Sequence, residues 1–351
     1  MTSDTTNARH GRAEPFSQTA RDPRMTEAGW PVSRRDIMAL ACALPLSCAA
    51  RAVPGDPGAP GVELYDSHIH FFTNDIGHYP IDTRNSREGE EVTRARVMRD
   101  PGTPEKVFAW WAQSGVTAGT GVQYSGVYKT DNSYVLDLAD RFPDKIHAEI
   151  IMDARNPASP DRLEALVAAR RVSAMRLTGF TQDTRDIRWL NSPDALRLWA
   201  TADRLGIPVG ITFLPPKGTV EALSAVRTLA ERFTNCPIIL EHCGRLVNGD
   251  VAPAHLALRA FPHVHFKWTT NVIDELKAQA HSPAELLRRA TDIFGADRIM
   301  WGSDSGNTLW PYADMVADAL ASTSALNADE RRRVLHDNGH AMFTRRKPQA
   351  I

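Results

Sequence analysis

Between residues 62 and 345 the chain alternates eight times between a short apolar run and a longer segment of helical period, and no other feature narrows the fold as much. The strand-like runs fall at 63–70, 118–123, 147–152, 174–178, 208–213, 237–242, 264–268 and 298–304. The helical segments fall at 104–114, 132–141, 160–171, 193–205, 219–232, 253–261, 283–294 and 328–338, with apolar residues three to four apart. Several of these open with proline behind a polar residue, Ser159, Ser192 or Ser282, as helix starts do. Strict alternation of this kind argues an α/β fold with a parallel sheet. Eight units over about 285 residues match a (β/α)8 TIM barrel, one catalytic domain. An open doubly wound sheet is the rival, but no Gly-rich turn follows the first strand as a dinucleotide-binding version would require.

A barrel places its active site at the C-terminal ends of the strands, and the polar residues of this chain fall there. His68 and His70 end the first strand, Gln123 the second and His242 the sixth, while Asp304 ends the eighth. Arg176 and Lys267 lie near the ends of the fourth and seventh. Side chains two apart on a strand share a face, so His68 and His70 project together, either as a chelating pair or as two solvated imidazoles. Residues 71–100 carry no clear period and read as a lid or substrate loop, against the alternative of a surface excursion.

A formal net charge of −1 with no basic stripe past the N-terminal segment excludes a nucleic-acid partner and docking on anionic lipid. Residues 1–30 are polar and aperiodic; Arg34-Arg35 then leads into an apolar stretch over 37–50 and the small-x-small run Ala50-Arg51-Ala52. That stretch is too short to span a bilayer, and the pattern is that of a twin-arginine export signal. The expected organisation is a polar n-region and signal over 1–52, a linker over 53–61, the barrel over 62–345 and a tail over 346–351. It implies the twin-arginine translocation machinery as a partner, a periplasmic or secreted product and no membrane span in the mature chain; Met1 and Met25 are both candidate starts. Cys42 and Cys48 lie in the signal, and Cys236 and Cys243 sit on one predicted strand roughly 23 Å apart, beyond disulfide reach.

Taken together, Asp66-Ser67-His68-Ile69-His70, Leu240-Glu241-His242-Cys243-Gly244 and Met300-Trp301-Gly302-Ser303-Asp304 resemble the amidohydrolase-related family of the amidohydrolase superfamily. The resemblance is to the branch that holds 2-pyrone-4,6-dicarboxylate lactonase and other sugar-acid or muconolactone lactonases. It extends to Tyr128-Lys129-Thr130-Asp131-Asn132 after the second strand and to Asn338–Phe343 near the end. The family implies His68, His70, His242 and Asp304 as its site residues. Many metal-dependent members also carry a histidine on the fifth strand or a bridging lysine on the fourth. Here those strands read Val209-Gly210-Ile211-Thr212 and Met175-Arg176-Leu177-Thr178, so a two-metal site is not expected.

One divalent ion, zinc by ligand type, would be held by His68, His70 and Asp304, with His242 as a further ligand candidate. A metal-free mechanism stays open, because the branch contains both kinds. Hydrolysis of a lactone or related cyclic ester needs an activated water and a polarised carbonyl. Asp304 is the candidate base, with the three histidines binding the metal or polarising the carbonyl. A small-molecule substrate bearing a carboxylate would be recognised by Arg176, with Lys267, Tyr128, Tyr124 and Arg245 as further substrate-binding candidates. Lys267 could equally snorkel outward, and Trp301 and Trp310 are expected in the core. The alternative reaction on the same barrel is metal-dependent decarboxylation or hydration of an aromatic or unsaturated acid.

Overall fold

The computed structural model describes residues 62–179, 186–212, 219–246 and 249–344, so the expected signal, linker and tail lie outside the described residues. Eight strands form one sheet in sequence order: β1 (Leu64–Ile69), β2 (Val116–Val122), β3 (Ile146–Ile151), β4 (Val172–Thr178), β5 (Val209–Thr212), β6 (Ile238–Leu240), β7 (Val264–Thr269) and β8 (Ile299–Gly302). Each consecutive pair is parallel. The ends of the sheet meet just past β8, where Asp304 N–H donates to His68 C=O at 2.7 Å and His70 N–H donates to Ser305 C=O at 2.9 Å. The expected TIM barrel is the observed fold, and the eight strands fall within a few residues of their expected bounds.

Closure at that seam needs a glycine. A Cβ on Gly302 would stand 2.5 Å from His68 Cβ and 2.8 Å from His68 N, so no side chain fits between β8 and β1. The barrel interior holds charge as well as apolar side chains: Glu149 on β3 and Lys267 on β7 are completely buried. Gly210 on β5 leaves the space into which the Glu149 carboxylate projects. At the opposite end Tyr65, Ala118, Ala174, Ile239, Met300, Met342 and Phe343 close the floor. Asn338 anchors that closing segment by donating to the carbonyls of Ala296 and Ile299, both at 2.7 Å.

Helices cover the outside of the sheet and bury apolar faces against it. Pro104–Ser114, Pro193–Leu205, Thr219–Arg232 and Pro283–Phe294 have their expected bounds. Ser192 and Ser282 cap their helices by accepting from Ala195 N and Glu285 N, but Ser159 lies inside its helix and donates to Asp153 C=O instead. The segment after β1 is a correction, since residues Glu90–Arg99 form a helix within it. Only Thr93 and Val97 of that helix are buried, too few to leave a readable period. Helices at Thr270–Ala278 and Tyr312–Ser322 were also not anticipated. Trp301 is buried as expected, whereas Trp310 is 59% exposed and donates its indole N–H to Asp274. Cys236 and Cys243 are free and buried. Among the described residues no helix is long and apolar enough to cross a membrane.

Candidate metal centre and active site

At the mouth of the barrel the end of β1 and the turn after β8 bring three side chains together. His68 Nε2 and His70 Nε2 each lie 3.3 Å from Asp304 Oδ1, and the two nitrogens are 3.3 Å from each other. All three side chains are buried. Asp304 reaches this position in a left-handed conformation, φ 58°, a strained geometry for a residue with a side chain. Its second oxygen is fully occupied: Asn271 Nδ2 donates at 2.8 Å and Asn307 Nδ2 at 3.0 Å, with the Thr308 hydroxyl at 2.9 Å. Oδ1 carries no hydrogen bond and faces only the imidazoles.

The imidazole protons decide whether this triangle can receive a cation. His70 Nδ1 lies 2.9 Å from Val122 C=O, which only accepts, so His70 carries its proton there and presents a bare Nε2. Burial pushes the His68 imidazole down to about 3, so it is neutral and has one proton to place. With that proton on Nδ1, His68 presents a third acceptor, and three acceptor atoms 3.3 Å apart repel one another unless a proton or a metal ion sits among them. An ion with bonds of about 2.0–2.1 Å at tetrahedral angles separates its ligand atoms by about 3.3–3.4 Å. The spacing and the nitrogen–carboxylate donor set therefore fit a zinc-like divalent ion. A second group, His68, Glu241 and His242, also clusters. It is the poorer site, because Glu241 is already matched by two cations.

Those cations are Arg176 and Lys267. Arg176 Nη2 and Nε lie 2.7 and 2.8 Å from Glu241 Oε2, and the Thr212 hydroxyl donates to the same oxygen. Lys267 Nζ is 2.5 Å from Glu149 Oε2 and 3.6 Å from Glu241 Oε1. Burial pushes Glu149 up against the pull of Lys267. Arg176 is thus committed to a carboxylate of this chain and is not open at the mouth as a substrate fork. Lys267 neither snorkels outward nor reaches the mouth; it is fully buried over the Phe343 ring. The ion pairs run between strands far apart in sequence, so no local pattern announced them.

His242 begins a run of left-handed residues, His242, Cys243, Gly244 and Arg245, with φ between 50° and 66°. The run turns the imidazole toward His68, with ring centroids 5.4 Å apart. Its Nδ1 is 2.7 Å from the Thr269 hydroxyl, leaving Nε2 to face the site. Burial lowers the His242 pKa and keeps the ring neutral. Tyr124 stacks on His70 at 4.8 Å and its oxygen accepts from Arg96 Nη2 at 2.5 Å. Arg96 also donates to Gly306 C=O at 2.7 Å, tying helix Glu90–Arg99 to the β8 turn. Tyr128 is placed differently from expectation: it is buried among Tyr79 and Tyr134 side chains and accepts from Thr73 N–H at 3.0 Å. Arg245 pairs with Glu275 through Nη2, and its Nε is buried with no hydrogen-bond partner. Glu241, Thr269, Asn271 and Arg96 were not singled out in the sequence. Only Glu241, adjacent to His242 at a strand end, carried a signal that could have found it.

The profile of the amidohydrolase family matches residues 65–345. L-fucono-1,5-lactonase of Burkholderia ambifaria is 27% identical over 268 residues, 71% of this chain and 80% of that protein. Among solved structures, a probable 2-pyrone-4,6-dicarboxylic acid hydrolase of Acinetobacter baumannii with citric acid bound superposes with a TM-score of 0.61 at 18% identity, over 80% of this chain and 99% of the other. An amidohydrolase of Burkholderia multivorans with bound zinc gives 0.58 at 20% identity, over 80% and 99%.

Proposed function

From the premise that the chain belongs to the amidohydrolase family, we propose that it hydrolyses a lactone or related cyclic ester of a small, carboxylate-bearing molecule at the barrel mouth. The observation that carries this reading is the triangle of His68 Nε2, His70 Nε2 and Asp304 Oδ1, a water-activating arrangement with His242 beside it. Its lactone character is supported by the likeness to L-fucono-1,5-lactonase. His68, His70 and Asp304 would hold one divalent ion, zinc by donor type. When bound, such an ion lowers the pKa of water and polarises a carbonyl.

The protein's own groups supply the rest. Asp304 accepts the proton of the attacking water through Oδ1, while Asn271, Asn307 and Thr308 hold the carboxylate in place by its other oxygen. With the Thr269 hydroxyl, 2.7 Å from His242 Nδ1, acting as donor there, His242 would carry its proton on Nε2 and offer it to the carbonyl oxygen and the oxyanion that develops on it. Expulsion of the ring oxygen, with return of the proton from Asp304, gives the hydroxy acid. Arg176 is engaged by Glu241 and Arg245 by Glu275, but Arg245 keeps a buried Nε without a hydrogen-bond partner, so recognition of the carboxylate is assigned to it. The twin-arginine segment extends the proposal to an exported enzyme; retention of the full-length protein in the cytoplasm would count against that part.

A panel of aldonolactones and pyrone lactones tests the reaction, followed by acid release with purified protein. Ring opening with uptake of one water supports the hydrolase. Release of carbon dioxide from aromatic acids without lactone opening would establish the decarboxylase instead. Full activity in a verified metal-free sample would remove the ion from the mechanism.

A further inference from the structure

Two buried polar atoms of this site have no hydrogen-bond partner and face each other: His68 Nδ1 and Glu241 Oε1, 3.6 Å apart. The next group around that oxygen is Lys267 Nζ, also at 3.6 Å. The other Glu241 oxygen is saturated by Arg176 and Thr212. Glu241 therefore has one oxygen anchored to β4 and β5 and one oxygen aimed at the back of the His68 ring.

We propose that Glu241 is a positioning residue: it holds the His68 proton on Nδ1 so that Nε2 faces the triangle bare, and the buried Arg176 and Lys267 hold its carboxylate in that orientation. This rests on the metal-binding reading of the triangle. The opposite tautomer, with the His68 proton on Nε2, would point that proton at His70 Nε2 and block the site. Arg176 Nη2 at 2.7 Å and Lys267 Nζ at 3.6 Å are the cations set against Glu241. A carboxylate behind a ligating histidine fixes both the ring's orientation and its tautomer, and its loss typically weakens metal binding about 10–100-fold. The structure thus moves Arg176 and Lys267 from substrate recognition to the support of one ligand.

The decisive experiment is long-range 1H–15N correlation on metal-free wild-type protein labelled with 15N-histidine, with His68 assigned from the signal lost in His68→Asn. The expected result is a protonated Nδ1 and a bare Nε2 on His68. A proton on Nε2 overturns the proposal whether or not any variant folds. A second readout is zinc affinity by competition with a chromogenic chelator. Folded Glu241→Gln should bind zinc about 10–100-fold more weakly than wild type, and unchanged affinity overturns the proposal. Wild-type protein that takes up no zinc would sink the metal reading instead, and the tautomer alone would then decide the role of Glu241. Neither readout depends on lactone hydrolysis.

Discussion

His68 Nε2 stands 3.3 Å from His70 Nε2, a separation at which two bare imidazole nitrogens need a cation or a proton between them. Zinc added to metal-free protein should therefore bind at one equivalent and survive dialysis. His70→Ala, which removes one of three ligand atoms, should lose that equivalent while keeping the circular dichroism of the wild type. Elemental analysis after dialysis reads the result, and a stoichiometric ion in the variant would show that His70 is not a ligand.

The second prediction separates the two roles considered for Arg176. Removing one partner of a buried ion pair costs about 3–5 kcal/mol, because the other charge is left unmatched. Arg176→Met should lose stability on that scale in urea denaturation, since Glu241 is buried against it. A normal denaturation midpoint with a KM raised tenfold would instead return Arg176 to the substrate.

Acid sensitivity has an identifiable source at the floor of the barrel. His147 accepts or donates at 2.9 Å to the Tyr65 hydroxyl, and burial pushes its pKa down from 6.5 to about 4. Between those values the unfolded chain takes up a proton that the folded chain refuses, so this contribution to stability falls as pH drops through 6.5 and levels below 4. Its ceiling is about 3 kcal/mol at roughly 1.4 kcal/mol per unit. Asp66, pushed up to about 6 by burial, has the opposite sign over part of the range. The comparison that isolates His147 is the drop in Tm from pH 7.5 to 4.5, which should be smaller in His147→Asn than in wild type.

Gly302 couples the seam of the barrel to the site. In Gly302→Ala the new methyl meets the His68 backbone and Cβ, and β8 and β1 must part. Overpacking of this kind costs about 1–3 kcal/mol, and zinc affinity should fall with it because Asp304 hangs from the same seam. Stability lost with zinc affinity intact would disconnect the two.

Tyr128 provides a control on substrate recognition. Its hydroxyl satisfies the Thr73 N–H in a buried cluster, and leaving such a donor unpaired costs about 1–3 kcal/mol. Tyr128→Phe should show that loss in denaturation with no change in KM; a raised KM at unchanged stability would place the hydroxyl on the substrate.

Strand and helix periods are local properties, set by which side chains meet neighbours two or four residues away, so they are written in the sequence and predicted the barrel. The strand-end positions of His68, His70, His242 and Asp304 are legible in the same way, and it is the family resemblance that sets these four apart from Gln123, Arg176 and Lys267. The sequence did not disclose helix Glu90–Arg99, which buries only two residues, or the exposure of Trp310. It also could not say where a buried charge finds its partner. Arg176 and Lys267 at strand ends look like groups waiting for a substrate. Only the closed sheet brings Glu241, just past β6, against Arg176 of β4 and Glu149 of β3 against Lys267 of β7, and in that dry interior each cation is claimed by a carboxylate of the chain.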